Sequence, residues 1–303
     1  MAFPRSYHFF KLCRIAIYIL WFWTLLLVCF HERNQSHPDM KFKLNHWIQK
    51  EDLYISVKTT SKNVQKRLQV ILDTWYQLAP EVIYFTTDKI TNPIETVNQK
   101  HLKGTDCKTS HSLEDLLCKT QAEFRGFFAV MDQKKWFCHF DDDNYVNTFA
   151  LMKKLTEFDA DQDWYLGKVS WIKPFDSVKG KKFWFGTGGA GFCLSKPLVV
   201  KMMPYIQYQF MKLGKELKLP DDVLVGYIVE YLLKVPITVV DQFHSHLEPQ
   251  KNVPINNQTI SYSYSISRRK NNDNILDIPD MPGIFEDPTR FKTLHAKLFP
   301  ATK

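Results

Sequence analysis

The sequence predicts an α/β fold, a sheet flanked by helices, preceded by an N-terminal transmembrane helix. Three observations carry this expectation. From Asp52 onward, strand-like and helix-like patterns alternate, the order that gives parallel strands joined by crossover helices. The run Lys135-Trp136-Phe137-Cys138-His139-Phe140 is apolar and aromatic, as a buried strand requires, and three carboxylates, Asp141, Asp142 and Asp143, follow at its end. Ahead of both lies an uncharged stretch, residues 15–30, IAIYILWFWTLLLVCF.

That stretch reads as a signal-anchor. It is short against the roughly 20 residues that span an average bilayer, but early secretory membranes are thinner. No small-x-small cleavage site follows it, and Trp21, Phe22, Trp23 and Phe30 are bulky, which favours an anchor over a cleaved signal peptide. Arg5, Lys11 and Arg14 on its N-terminal side keep that end in the cytosol. The expected division is a cytoplasmic tail (1–14), a transmembrane helix (15–30), a polar stem (31–51) and a lumenal domain (52–303). Residues 52–59 form a first strand. Val64, Leu68, Ile71, Leu72 and Trp75 recur at helical spacing within 62–78. A second strand covers 81–87 and an irregular stretch 91–110. A helix at 113–131 leads to the central strand at 135–140. Further helices are expected at 148–158, 197–206 and 221–233, and further strands at 164–169, 183–186, 237–243 and 261–266. Sequons stand at Asn34 and Asn257, both in polar surroundings that tolerate a glycan.

The chain has 303 residues, of which 45% are hydrophobic, enough for one large domain or two small ones. A net charge of +8 suggests an anionic ligand or partner. The lysines and arginines are scattered rather than clustered in a stripe, which argues against nucleic acid. Of six cysteines, Cys13 and Cys29 belong with the anchor segment. Cys107, Cys118, Cys138 and Cys193 are an even set, suited to disulfides in an oxidising compartment, and no CxxC spacing supports zinc.

The chemistry concentrates at strand ends. Ligands of open α/β sheets bind beyond the carboxyl ends of the strands. Three adjacent carboxylates repel one another, and a hard divalent cation offsets that repulsion while leaving positions for water or phosphate oxygens. A solvated acidic turn is the plain alternative. Gly186-Thr187-Gly188-Gly189-Ala190-Gly191 satisfies GxGxxG, but it follows the central strand instead of opening the first βαβ unit, which argues against a dinucleotide fingerprint. Its glycines suit close backbone approach to a bound sugar, or a tight turn. Asp221-Asp222 opens a helix, where capping accounts for one carboxylate. His244-Ser245-His246 closes a strand.

Taken together, WFCHFDDDNYVN, FWFGTGGAGFCLSK, LPDDVLVGYI, FHSHLE and DPTRFKTLH, following DLYISVKTT and RLQVILDTW in one order, resemble the fringe glycosyltransferases of the β1,3-glycosyltransferase group. The resemblance runs from about Asp52 to about His295. It implies a GT-A-like, nucleotide-sugar-binding mixed sheet, and an inverting transfer of GlcNAc from UDP-GlcNAc, in β1,3 linkage, to O-linked fucose on EGF-like repeats of Notch-type receptors, modulating Notch signalling. Other readings are a related β1,3-galactosyl or GlcNAc transferase on other glycans, or an inactive, membrane-anchored glycan-binding protein. By the same resemblance Asp222 is the catalytic base, and Asp143 with His246 holds Mn²⁺. Arg67 contacts the nucleotide, with Lys58 a weaker candidate of the same kind. Asp142 faces the ribose or sugar, and Gly188 and Gly189 line the donor pocket. Of three possible pairings, Cys107–Cys118 closes a short loop and Cys138–Cys193 ties the DDD strand to the glycine-rich segment, a choice that also matches the family pattern. The implied location is the Golgi membrane, as a single-pass type II protein.

Overall fold

The computed structural model describes residues 48–88, 94, 96–178, 180–267 and 272–300. The anchor stretch, the stem to residue 47 and Asn34 lie outside these residues. Among the described residues no helix is long and apolar enough to cross a membrane. The expectation of a single-pass type II Golgi membrane protein is therefore corrected and is not carried further.

A seven-stranded mixed sheet organises the domain. Its strands, numbered along the chain, are β1 (Leu53–Lys58), β2 (Ile83–Thr87), β3 (Leu102–Gly104), β4 (Trp136–Asp141), β6 (Tyr165–Gly167), β9 (Phe192–Ser195) and β10 (Ile237–Val239), in the spatial order β10-β6-β9-β4-β1-β2-β3. Strand β1 runs parallel to both β2 and β4, and β10 runs parallel to β6. Strand β9 lies between β4 and β6, antiparallel to each. Two smaller pairs complete the set: β5 (Asn144–Val146) with β11 (Ser261–Ser263), and the hairpin β7 (Phe175–Val178) with β8 (Lys181–Phe183).

Side-chain parity divides the core. Leu53, Ile55 and Val57 of β1 and Trp136, Cys138 and Phe140 of β4 face one layer. That layer is covered by helices α1 (Gln69–Leu72), α3 (Thr148–Leu155) and α7 (Phe291–Leu298), through Ile71, Leu72, Leu151, Phe291 and Leu294. Tyr54 and Phe137 face the other layer. There α2 (Leu113–Phe128), α4 (Lys196–Tyr208), α5 (Phe210–Leu217) and α6 (Asp221–Gly226) contribute Phe124, Phe127, Leu198, Met202, Phe210 and Leu224. Strand β4 is buried along both faces, so it shows a continuous apolar run and no alternation. By the same parity His139 emerges on the α2 side, which matters below.

Local signals set several boundaries. The Ser112 side chain caps α2 by accepting from the Asp115 N–H, and the Asn147 side chain caps α3 by accepting from the Ala150 N–H. Cys107 joins Cys118, and Cys138 joins Cys193, across the directly opposed positions of β4 and β9.

Some elements differ from the sequence reading. The expected helix over 62–78 is broken into a short turn, a π-helical turn Val64–Leu68, α1, and a 3₁₀ turn Trp75–Leu78. The helix over 221–233 ends as α6 at Gly226 and continues as the π-helical turn Tyr227–Leu232. Of the strand expected at 183–186 only Phe183 is extended, as the last residue of β8 in the hairpin outside the main sheet, and residues 184–186 form no strand. Strand β9 was not anticipated. Its four residues follow directly on a glycine cluster, and all four are buried, so neither length nor alternation marked them.

Candidate active site

The carboxyl ends of β1 and β4 lie in register, Lys58 beside Asp141. The chain leaving β4 carries Asp141, Asp142 and Asp143, and the chain leaving β1 carries Thr59, Asn63 and Arg67. These segments wall a cleft of about 910 Å³, together with Lys119 of α2, Asp221, His246 and Tyr264.

Asp142 is fully engaged by the β1 side. It accepts hydrogen bonds from Thr59 Oγ1 at 2.8 Å, Asn63 Nδ2 at 2.7 Å and Arg67 Nη1 at 2.7 Å. Arg67 also reaches Asp143 Oδ2 at 3.2 Å and lies 5.9 Å from the centre of the Tyr264 ring. The π-helical turn over Val64–Leu68 brings Asn63 and Arg67 to the same carboxylate. Asp141 sits apart from this group. Its Oδ1 lies 3.3 Å from Lys58 Nζ and 3.7 Å from His139 Nε2.

Asp143 is different in kind. Its Oδ2 meets Arg67, but its Oδ1 is buried with no hydrogen-bond partner. Burial, followed by the negative charge of Asp141, pushes its pKa up to about 8 against the opposing pull of Arg67. His246 Nδ1 is likewise buried and unpartnered, and burial lowers the pKa of that imidazole, keeping it neutral. A neutral imidazole nitrogen and a carboxylate oxygen, both lacking partners, are donors that suit a cation of the Mn²⁺ type. Among the described residues no group of three or more His, Cys, Asp or Glu is gathered to hold a metal ion. These two donors therefore fit a cation only if ligand or water oxygens complete its shell.

Asp222 lies outside the walls of the cleft, across the turn formed by Gly188–Ala190. Its Oδ2 accepts from the Gly188 N–H at 3.0 Å and its Oδ1 from the Val223 N–H at 2.8 Å. Burial first, then the Asp221 charge, raises its pKa to about 6. On the opposite side of the same turn, a Cβ at Gly189 would stand 3.1 Å from the His246 ring, and the Gly189 carbonyl accepts from Asn144 Nδ2 at 2.8 Å. Gly191, at φ +84°, closes the turn where a Cβ would meet the Phe140 ring at 2.2 Å. The glycine run is thus a tight partition between His246 and Asp222.

Asn257 stands exposed on the loop before β11, its carbonyl within 3.4 Å of Asn147 Nδ2. The sequence reading missed Thr59, Asn63, Lys119, Glu123 and Tyr264. Asn63 carried a faint signal, lying one helical turn before Arg67. Glu123 is fully buried against His139, with Nδ1 to Oε1 at 3.0 Å, and the parity of β4 could have placed His139 on the α2 side but not named its partner. Nothing marked Lys119.

Fold and site together define an α/β protein with a carboxylate-rich ligand cleft at its strand ends and a second, separately held carboxylate across a glycine turn. The family model described as Fringe-like matches residues 48–302. The chain belongs to that family. It is 44% identical over 260 residues to the "Fringe glycosyltransferase" of Drosophila melanogaster, covering 82% of this chain and 62% of that protein. It is 38% identical over 266 residues to the "Beta-1,3-N-acetylglucosaminyltransferase lunatic fringe" of Danio rerio, covering 84% of this chain and 70% of that protein. The radical fringe of Notophthalmus viridescens is 37% identical, over 83% of this chain and 65% of its own length. The chain thus spans less than two thirds of the length of the Drosophila and Notophthalmus proteins.

Proposed function

We propose that this chain is an inverting β1,3-N-acetylglucosaminyltransferase that moves GlcNAc from UDP-GlcNAc to O-linked fucose on EGF-like repeats of Notch-type receptors, modulating their signalling. The observation that carries the reading is the pair of carboxylates held apart by the glycine turn. Asp143, in the wall of the cleft, has a buried oxygen without a partner, and Asp222, outside those walls, is held by two backbone N–H groups. An inverting transfer needs this separation, since the base acts on the face opposite the leaving group.

Asp143 and His246 would hold Mn²⁺, which when bound supplies positive charge to the departing diphosphate. Arg67, which spans Asp142 and Asp143 in the wall of the cleft, would exchange one carboxylate contact for a phosphate or ribose contact of the nucleotide. Gly188 and Gly189, which resemblance assigned to the donor pocket, are buried and line no wall of the cleft; their part is to let His246 and Asp222 pack closely on the same turn. Asp222 takes the proton from the fucose hydroxyl as that oxygen attacks the anomeric carbon. Its two oxygens each accept one backbone N–H and retain a free lone pair for that proton. With a pKa of about 6 the carboxylate is ionised at neutral pH and more basic than an ordinary aspartate.

The test is release of UDP from UDP-GlcNAc with and without an O-fucosylated EGF-like repeat, with UDP-galactose as the competing donor. Release that depends on both GlcNAc donor and fucosylated repeat is expected. Turnover with UDP-galactose, or none with either donor, would overturn the assignment.

A further inference from the structure

Lys58, expected from sequence as a second nucleotide contact, is engaged elsewhere. Its Nζ donates to Asp221 Oδ2 at 2.5 Å and lies 3.3 Å from Asp141 Oδ1, in a side chain only 9% exposed. One ammonium thereby bridges the first carboxylate of the DDD triplet and the first carboxylate of the LPDD pair. Thr120 of α2 donates to the same Asp221 oxygen at 2.7 Å. Asp221 is thus held from β1 and from α2 at once, and Asp222 is the next residue along the helix.

We propose that Lys58 is a positioning residue for Asp222: it locks the start of α6 to the end of β1, and by pairing with Asp221 it sets the charge that Asp222 experiences. This rests on the reading of Asp222 as the base. The groups around Asp222 are few. The Gly188 and Val223 N–H groups bind it directly, Asp221 neighbours it on α6, Lys58 faces it from β1, and the Tyr165 hydroxyl faces it from β6. Behind Asp221 stand His139 of β4 and, paired with that ring, Glu123 of α2, which also faces Lys58. Asp221 raises the proton affinity of Asp222 and Lys58 lowers it. The neighbouring cation also holds Asp221 ionised although burial opposes its charge. Both close contacts of the Lys58 ammonium are thus with carboxylates of the chain itself.

The decisive variant is Asp221→Asn, which keeps shape and an acceptor for Thr120 while removing the charge. The acid limb of its kcat profile should move to lower pH by about one unit. Lys58→Met should lower kcat at least about tenfold while the Kd for UDP with Mn²⁺ changes by less than about threefold, and Lys58→Arg should recover most of the loss. An acid limb that stays in place in Asp221→Asn overturns the proposal, as does loss of UDP binding in Lys58→Met with kcat kept. If Lys58→Met does not fold, Asp221→Asn decides alone. Asp222→Asn is the control: turnover surviving there would remove the base assignment itself, a failure separate from an unmoved limb.

Discussion

At the residue scale the two special carboxylates are raised in pKa for different reasons, and this separates their predicted behaviour. Asp222 is held in a site where burial and Asp221 favour its protonated form, so its folded pKa of about 6 exceeds the ordinary aspartate value. A base must be ionised, so turnover is expected to rise through about pH 6 and to be lost as pH falls through that value. Asp222→Asn should keep UDP binding and lose about 10²–10⁴-fold in transfer, the usual contribution of a general base. Calorimetry of UDP beside a turnover assay reads both quantities. Loss of UDP binding in Asp222→Asn, with binding kept in Asp143→Ala, would reverse the roles of Asp222 and Asp143. Asp143 places a buried carboxylate next to Asp141 and Asp142 with one oxygen unpartnered. Asp143→Asn should therefore raise the melting temperature of the metal-free protein at neutral pH by a few degrees, the effect of about 1 kcal/mol. It should also abolish the gain in UDP affinity that Mn²⁺ confers. A lowered melting temperature would show that the contact of this carboxyl with Arg67 contributes to the fold.

At the element scale β9 is the keystone. It joins the parallel set β3-β2-β1-β4 to the pair β6-β10, and it is reached through Gly191, whose positive φ and contact with Phe140 admit no side chain. Gly191→Ala should destabilise the domain by about 3 kcal/mol or more, since both the backbone conformation and the space are wrong for Cβ. Replacing Cys138 and Cys193 together should cost about 2–5 kcal/mol. Urea unfolding monitored by tryptophan fluorescence measures both, and a midpoint unchanged from wild type in either would refute the role assigned to β9. The elements also mark how far the sequence could be read. Strands β1, β2 and β4 were legible because their apolar runs are bounded by turn residues, and DDD, LPDD and HSH were legible because carboxylates and imidazoles cluster at element ends. Strand β9 was not, since four buried residues have no period. The helix after β1 was misjudged because Val64, Leu68 and Ile71 keep a helical spacing that tertiary contacts then distort. The ligand set of Asp142 was hidden because Thr59 and Asn63 are ordinary polar residues whose meaning lies wholly in the register of β1 against β4.

At the scale of the whole molecule, a basic chain surrounds a cleft in which cations and carboxylates are interleaved. The chain carries a net charge of +8, while the cleft mixes both signs, with Lys58, Lys66, Arg67, Lys119 and Lys292 beside Asp141, Asp142, Asp143 and Asp221. The outer field attracts a diphosphate, while within the cleft Lys58 and Arg67 are already paired with the carboxylates, so a further cation beside Asp143 adds to the attraction. Association of UDP in the presence of Mn²⁺ should therefore slow several-fold as ionic strength rises from about 0.05 to 0.5 M, with dissociation changed far less. Stopped-flow binding would read this, and a salt-independent association rate would count against long-range attraction.

The position of β9 also has a consequence for the order in which the chain matures. Cys107 and Cys118 are 11 residues apart and can close soon after both emerge. Cys138 must wait for Cys193, 55 residues later, and strand β4 has no neighbour on that side until then. At synthesis rates of about 5–20 residues per second the wait is roughly 3–11 s. Throughout that interval Cys138 is a thiol with its own partner not yet made. Early closure of Cys107 with Cys118 removes the two nearest wrong partners, so the short loop acts as a temporal guard for the long one.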